Sequence, residues 1–231
     1  MTQVVLSHIT RMRGTRICIA GIDWETAEHM RPVTDPEDLM TREMLRGEGG
    51  VLELGLILDL GSTVSDSSPP ETEDQLCETA NFRPVEKLTP ADYFELLATV
   101  ADDDLFQAFG PSLQQHDSNT YAMDVGAGSR SLASVPAGPS DRLFVDGFGG
   151  LRLATADAAI RVTDLRLFEG ASKSPRADIV ENVNERLDGG VSSYLMFGLA
   201  RPWARNKDEP PRHWLQMNGI CLEDDPLGET P

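Results

Sequence analysis

A chain of 231 residues with 40% hydrophobic content has room for one large or two small cores and excludes wholesale disorder. Its net charge of −18 excludes broad, nonspecific attraction to polyanions, because the field of the whole molecule repels them. No apolar run reaches the roughly 20 residues of a membrane helix, and the first residues lack the order of a signal peptide, so a cytoplasmic location without a membrane partner is expected.

The three cysteines, Cys18, Cys77 and Cys221, match neither a disulfide framework nor a zinc site and read as reduced, structural thiols. Charge is unevenly spread. Residues 1–22 contain Arg11, Arg13 and Arg16 and no acid, whereas residues 47–82 carry eight acids and no lysine or arginine. Seventeen of the twenty basic residues are arginine, a side chain suited to bidentate phosphate and base recognition, although codon bias in a GC-rich genome gives the same count.

In chain order, residues 4–8 and 16–23 read as two strands, with Arg11 and Arg13 at the tip of the loop between them. A third strand is expected around Arg31, which precedes Pro32 and is therefore pushed to an extended conformation. Residues 36–46 read as a short helix and 51–60 as a strand with alternate leucines. The Ser-, Pro- and acid-rich residues 61–80 read as a solvated excursion. Thr89-Pro90 is a helix start and Gly110-Pro111 a stop, and the acids at 102–104 divide the intervening pattern into two short bridging helices.

From Asn119 onward short strands return at 121–125, 131–135, 142–145, 151–154 and 160–168, a spacing that suits a small barrel or meander. A helix follows from Ser174-Pro175 to Gly189-Gly190. The chain closes on two apolar runs, 194–200 and 213–222, joined by a proline-rich loop. In the second run Leu215 and Met217 are out of phase with Ile220 and Leu222 by one residue. A β-bulge at Gly219 restores a single apolar face and leaves Trp214, Gln216 and Asn218 on the other.

Several of these residues fall into a recognisable set: Arg13-Gly14 followed by Cys18-Ile-Ala-Gly21, then Arg31-Pro32-Val33. Near the other end stand Gly198-Leu-Ala-Arg201-Pro202, Trp214-Leu-Gln216 and Leu222-Glu-Asp-Asp-Pro226-Leu227. The set resembles the dual OB-containing domain family of bacterial proteins. The resemblance implies an α+β, mainly β fold: a first OB-like barrel over 1–87, bridging helices over 88–112, and a second OB-like barrel with an inserted helix over 113–231. It further implies a nucleic-acid or nucleotide ligand in a bacterial defence or conflict system, and it supplies no catalytic residues.

An OB barrel that binds single strands needs aromatic faces for stacking and cations along the backbone path. The candidates are Arg11, Arg13, Arg16 and Arg31 in the first half, and Arg201, Trp203, Arg205, Trp214, Gln216 and Asn218 in the second. Trp214 reads equally as a core or hinge aromatic, and Arg201 as one side of a structural salt bridge. The amides of Gln216 and Asn218 suit a discrete nucleotide as well as a strand.

Two other readings compete with this non-enzymatic binding module. An acidic interaction subunit would dock a basic protein, one encoded nearby, or mimic nucleic acid. An S-adenosylmethionine-dependent methyltransferase would use the glycines of Ala122-Met-Asp-Val-Gly-Ala-Gly-Ser129, with Asp146 toward a ribose. Arg130 replaces its third glycine, and Pro136 follows too soon for the required helix. The isolated histidines and the acid runs offer no metal site, nucleophile or cofactor site, and none is expected.

Overall fold

The computed structural model describes residues 1–116, 120–170 and 172–228. Asn119, where the second run of strands was expected to begin, lies outside the described residues. The fold is α+β and mainly β, with two sheets. No helix of the described residues is long and apolar enough to cross a membrane.

The first sheet contains β1 (Gln3–Arg11), β2 (Ile17–Asp23), β3 (His29–Val33), β4 (Leu56–Asp59), β5 (Val64–Ser65), β6 (Asp74–Leu76) and β7 (Arg83–Lys87). Their order across the sheet is β5-β6-β3-β2-β1-β4-β7. Strand β1 is central and buried on both faces. Its residues Val4, Leu6 and Ile9 all enter one core, although the last step is three residues rather than two. The register shift between Leu6 and His8 supplies that change of phase.

Two helices follow, α1 (Pro90–Val100) and α2 (Leu105–Phe109). The Thr89 hydroxyl caps α1 by accepting from the Asp92 amide, and Pro90 occupies the first turn. Tyr93 and Leu97 on its buried face pack with Val5, Ile57, Met196 and Cys221, so α1 fills the space where the two sheets meet.

The second sheet is built from β10 (Leu132–Pro136), β11 (Arg142–Val145), β12 (Leu151–Ala154), β13 (Ala159–Val162), β14 (Ser193–Leu199) and β15 (Arg212–Leu222), in the order β10-β14-β15-β13-β12-β11. The hairpin of β8 (Gln114–His116) and β9 (Thr120–Asp124) adds to the start of β15. Helix α3 (Ala177–Asp188) packs Val180 and Val183 into this core.

The expected bulge is present in β15. Met196 pairs with Gly219 and Phe197 with Met217, which leaves Asn218 as the extra residue. Leu215, Met217, Ile220 and Leu222 thereby share one core. A Cβ on Gly219 would lie 3.4 Å from the Ser7 carbonyl oxygen, so the bulges of β1 and β15 face each other at the junction of the sheets.

Four expectations change. Residues 36–46 form no α-helix. The Met40 carbonyl accepts from the Ile17 amide and the Arg42 amide donates to the Thr15 carbonyl. These pairings to the β1–β2 loop leave only 3-10 turns at Arg42–Met44 and Arg46–Glu48. The strand expected over 51–60 shortens to β4, because Gly55 turns the chain at φ +75° just before it. The strand expected over 160–168 ends with β13, and Asp164 then caps a 3-10 turn, Leu165–Leu167, by accepting from the Arg166 amide.

The fourth change matters most. Residues 61–80 are not a solvated excursion, because Glu71, Thr72, Glu73 and Asp74 tie the first sheet to the second half. Glu73 accepts from the backbone amides of Ser131 (2.7 Å) and Leu132 (3.0 Å), and Thr72 donates to the Ser129 carbonyl (2.6 Å). Glu71 and Asp74 are 4% and 0% exposed, and both meet Arg201.

A cationic cleft between the two sheets as candidate functional site

Where the β1–β2 loop of the first sheet reaches the β13-β15-β14 face of the second, the surface opens into a cleft of about 740 Å³. This joint is fixed by the backbone: the Arg11 amide donates to the Thr163 carbonyl at 2.9 Å, and Thr10 forms a bridge to Asp164. Arg11 comes to the cleft from the end of β1, Arg13 and Arg16 from the loop that follows it, Arg31 from β3, Arg161 from β13, Arg201 from just beyond β14, and Lys173 from the loop before α3. Among the described residues, seven cations line the wall and no acid does, in a protein with 38 acidic residues.

The cations fall into two groups. Arg31 and Arg201 are held from behind by Asp74, which accepts from Arg31 Nε at 2.6 Å and from Arg201 Nη2, while Glu71 lies 3.2 Å from Arg201 Nη1. This is an ion cluster, buried at Arg31, Asp74 and Glu71 and reaching the surface at Arg201, whose charges are balanced within the protein. Arg31 is only 7% exposed, and its Nη2 is buried without a hydrogen-bond partner. Arg11, Arg13, Arg16, Arg161 and Lys173 form the second group, for which no ion pair is found among the described residues. Burial and then the nearby Arg161 charge hold the Arg11 guanidinium below the usual arginine value, and its carbon sits 4.5 Å over the Phe168 ring. Like charges gathered without a counter-charge favour an anion between them.

The floor is uncharged and polar. Arg161 and Gln216 are register partners on β13 and β15, and Gln216 is in turn opposite Gly198 on β14. Asn218 Oδ1 accepts from the Thr163 hydroxyl at 2.9 Å, and its amide nitrogen lies over Gly198, where a Cβ would run into it. Gly198 is thus required for close packing of the amide. Ile17, Val33, Leu39 and Met40 give the opposite wall an apolar stretch. Cys18 also lines the cleft, and burial pushes its thiol up, which keeps it neutral.

Seven of the ten residues singled out from sequence therefore share one cleft: Arg11, Arg13, Arg16, Arg31, Arg201, Gln216 and Asn218. Trp203, Arg205 and Trp214 form a separate group. Trp214 is 4% exposed, donates from Nε1 to the Trp203 carbonyl at 3.0 Å, has the Arg205 guanidinium 3.6 Å over its ring, and meets His116 edge-on. Its faces are occupied within the fold, as a core aromatic requires. Among the described residues no tryptophan, tyrosine or phenylalanine lines the cleft.

Two cleft cations were missed in the sequence. Arg161 had a usable signal, since it is the outward residue between buried Ile160 and Val162 in a short strand. Lys173 had none, because only folding brings its loop beside the first sheet. The glycines of the segment 122–129 occupy the turn from β9 to β10, with Gly126 and Gly128 at φ +78° and +81°. A strand follows them where a nucleotide-binding motif needs a helix.

No curated protein and no solved structure matches the chain. The model of the dual OB-containing domain family matches residues 1–220, spanning both sheets and the whole cleft, and the chain belongs to that family.

Proposed function

We propose that the protein is a non-enzymatic binding module whose ligand is a nucleic acid or nucleotide, held through its phosphates in the cleft between the sheets. The observation that carries this reading is the wall of seven cations, free of acids among the described residues, in a molecule of net charge −18. Selection for solubility would not place Arg11 and Arg161 beside each other uncompensated, and a phosphate group relieves that repulsion. Amide side chains on the floor add donors and acceptors of the kind that read a base edge. A thermal-shift screen with nucleotides, inorganic triphosphate, short DNA and short RNA tests it. A rise in Tm that disappears in Arg161→Ala supports the reading. No shift with any phosphate compound at low salt contradicts it.

A second reading has its own support. With the seven cleft cations set aside, thirteen basic residues stand against 38 acids, so the remaining surface is strongly negative and suits a basic protein partner. Salt-sensitive capture of a basic protein by both wild type and Arg161→Ala, with no response to phosphate compounds, would favour it.

A further inference from the structure

We infer that the cleft takes a single nucleotide, with its phosphates on Arg11 and Arg161 and the edge of its base on the Gln216 amide, rather than a run of a nucleic-acid strand. This rests on the phosphate-ligand reading above and narrows it. Three observations separate the two ligand forms. A cleft of about 740 Å³ is the size of a small-molecule site, roughly 300–1,000 Å³. A strand-binding groove uses aromatic faces for successive bases, and no aromatic ring of the described residues lines this wall. The net charge of −18 repels a long polyanion, whereas a compact ligand meets chiefly the cations of the cleft.

The orientation follows from where hydrogen-bonding capacity is unused. The Asn218 carbonyl is engaged by Thr163, and among the described residues neither the Asn218 amide nitrogen nor any Gln216 side-chain atom is found in a hydrogen bond. Gln216 therefore presents a donor and an acceptor side by side, the pair that matches a purine or pyrimidine edge. Its strand neighbour Arg161 is about 4.8 Å away across the sheet, close enough for one small ligand to reach both. The apolar wall at Leu39 and Met40 faces a base plane rather than a phosphate.

The test is calorimetric titration of the full chain and two variants, Gln216→Leu and Arg161→Ala, with ribonucleoside triphosphates, inorganic triphosphate and a short single-stranded oligonucleotide without a terminal phosphate. The inference expects one-to-one binding of at least one nucleoside triphosphate, more tightly than inorganic triphosphate. Gln216→Leu should weaken the nucleotide by roughly tenfold and leave inorganic triphosphate unchanged, which also shows that the variant is folded. Arg161→Ala should weaken both. Binding of the oligonucleotide without the nucleotides overturns the inference and leaves the phosphate-ligand reading in place. Equal binding of nucleotide and inorganic triphosphate, insensitive to Gln216, also overturns it. No binding of any probe overturns both.

Discussion

Asp74 is the residue on which the cleft wall depends. It is fully buried and is shared by Arg31 from the first sheet and Arg201 from the second. Replacing it with asparagine leaves the buried Arg31 charge without a counter-ion, and removal of one partner from such a pair costs about 3–5 kcal/mol. Asp74→Asn should lower unfolding stability by that amount in denaturant titration, and an effect under 1 kcal/mol would contradict the role. His8 makes a different prediction at the same scale. Burial first, then the charges of His29 and Arg31, push its pKa down to about 3, and its Nδ1 lies 2.7 Å from the Ser7 hydroxyl. The folded state therefore keeps His8 neutral while the unfolded chain protonates it below about pH 6.5. Its effect on stability is nil above pH 6.5 and grows as pH falls, by about 1.4 kcal/mol per unit down to about pH 3. His8→Gln should flatten the pH-stability curve in that window, and parallel curves for variant and wild type would count against it.

At the scale of elements, the two bulges determine where the sheets meet. In β1 the phase change lies opposite Gly21, where a Cβ would run into the Val5 carbonyl, a backbone atom that cannot move aside. Gly21→Ala should cost about 3 kcal/mol. In β15 a Cβ on Gly219 would meet the Met196 terminal methyl at 2.7 Å, the far end of a flexible side chain, so Gly219→Ala should cost about 1 kcal/mol. Denaturant midpoints for the pair test the order, and a larger loss at Gly219 would reverse the account. The β15 bulge was legible in the sequence because Leu215, Met217, Ile220 and Leu222 break alternation at one residue. The helices were legible too, since Thr89-Pro90 and Gly189-Gly190 are local signals. Residues 36–46 and 61–80 misled for a shared reason. Their local composition is correct for helix and loop, but long-range pairing decides their structure: Met40 and Arg42 bond to the β1–β2 loop, and Glu73 bonds to β10. The candidate site was partly legible. Arginines before proline and at a hairpin tip stand out in one sequence, whereas the partners that hold them, Asp74 and Glu71, sit in what read as solvated loop.

For the whole molecule, the two sheets are not independent. Leu165, from the second half, belongs to the core of the first sheet, and the joint also includes the buried pair Arg166–Asp164, at 2.7 Å, with Arg166 donating to the Leu227 carbonyl. A scanning calorimetry trace should therefore show one cooperative transition with equal calorimetric and van't Hoff enthalpies, and two resolved transitions would contradict this coupling. The proposed ligand site draws on the same joint, because the cleft takes Arg11, Arg13, Arg16 and Arg31 from the first sheet and Arg161, Lys173 and Arg201 from the second half. In the proposed function this wall, rather than the rest of the acidic molecule, holds a phosphate-bearing ligand. The salt dependence of nucleoside triphosphate affinity, measured for wild type and Arg161→Ala, tests it most directly. Wild-type affinity should fall as salt rises, and Arg161→Ala should bind more weakly with a shallower dependence. Affinity independent of salt and unchanged in Arg161→Ala would contradict it.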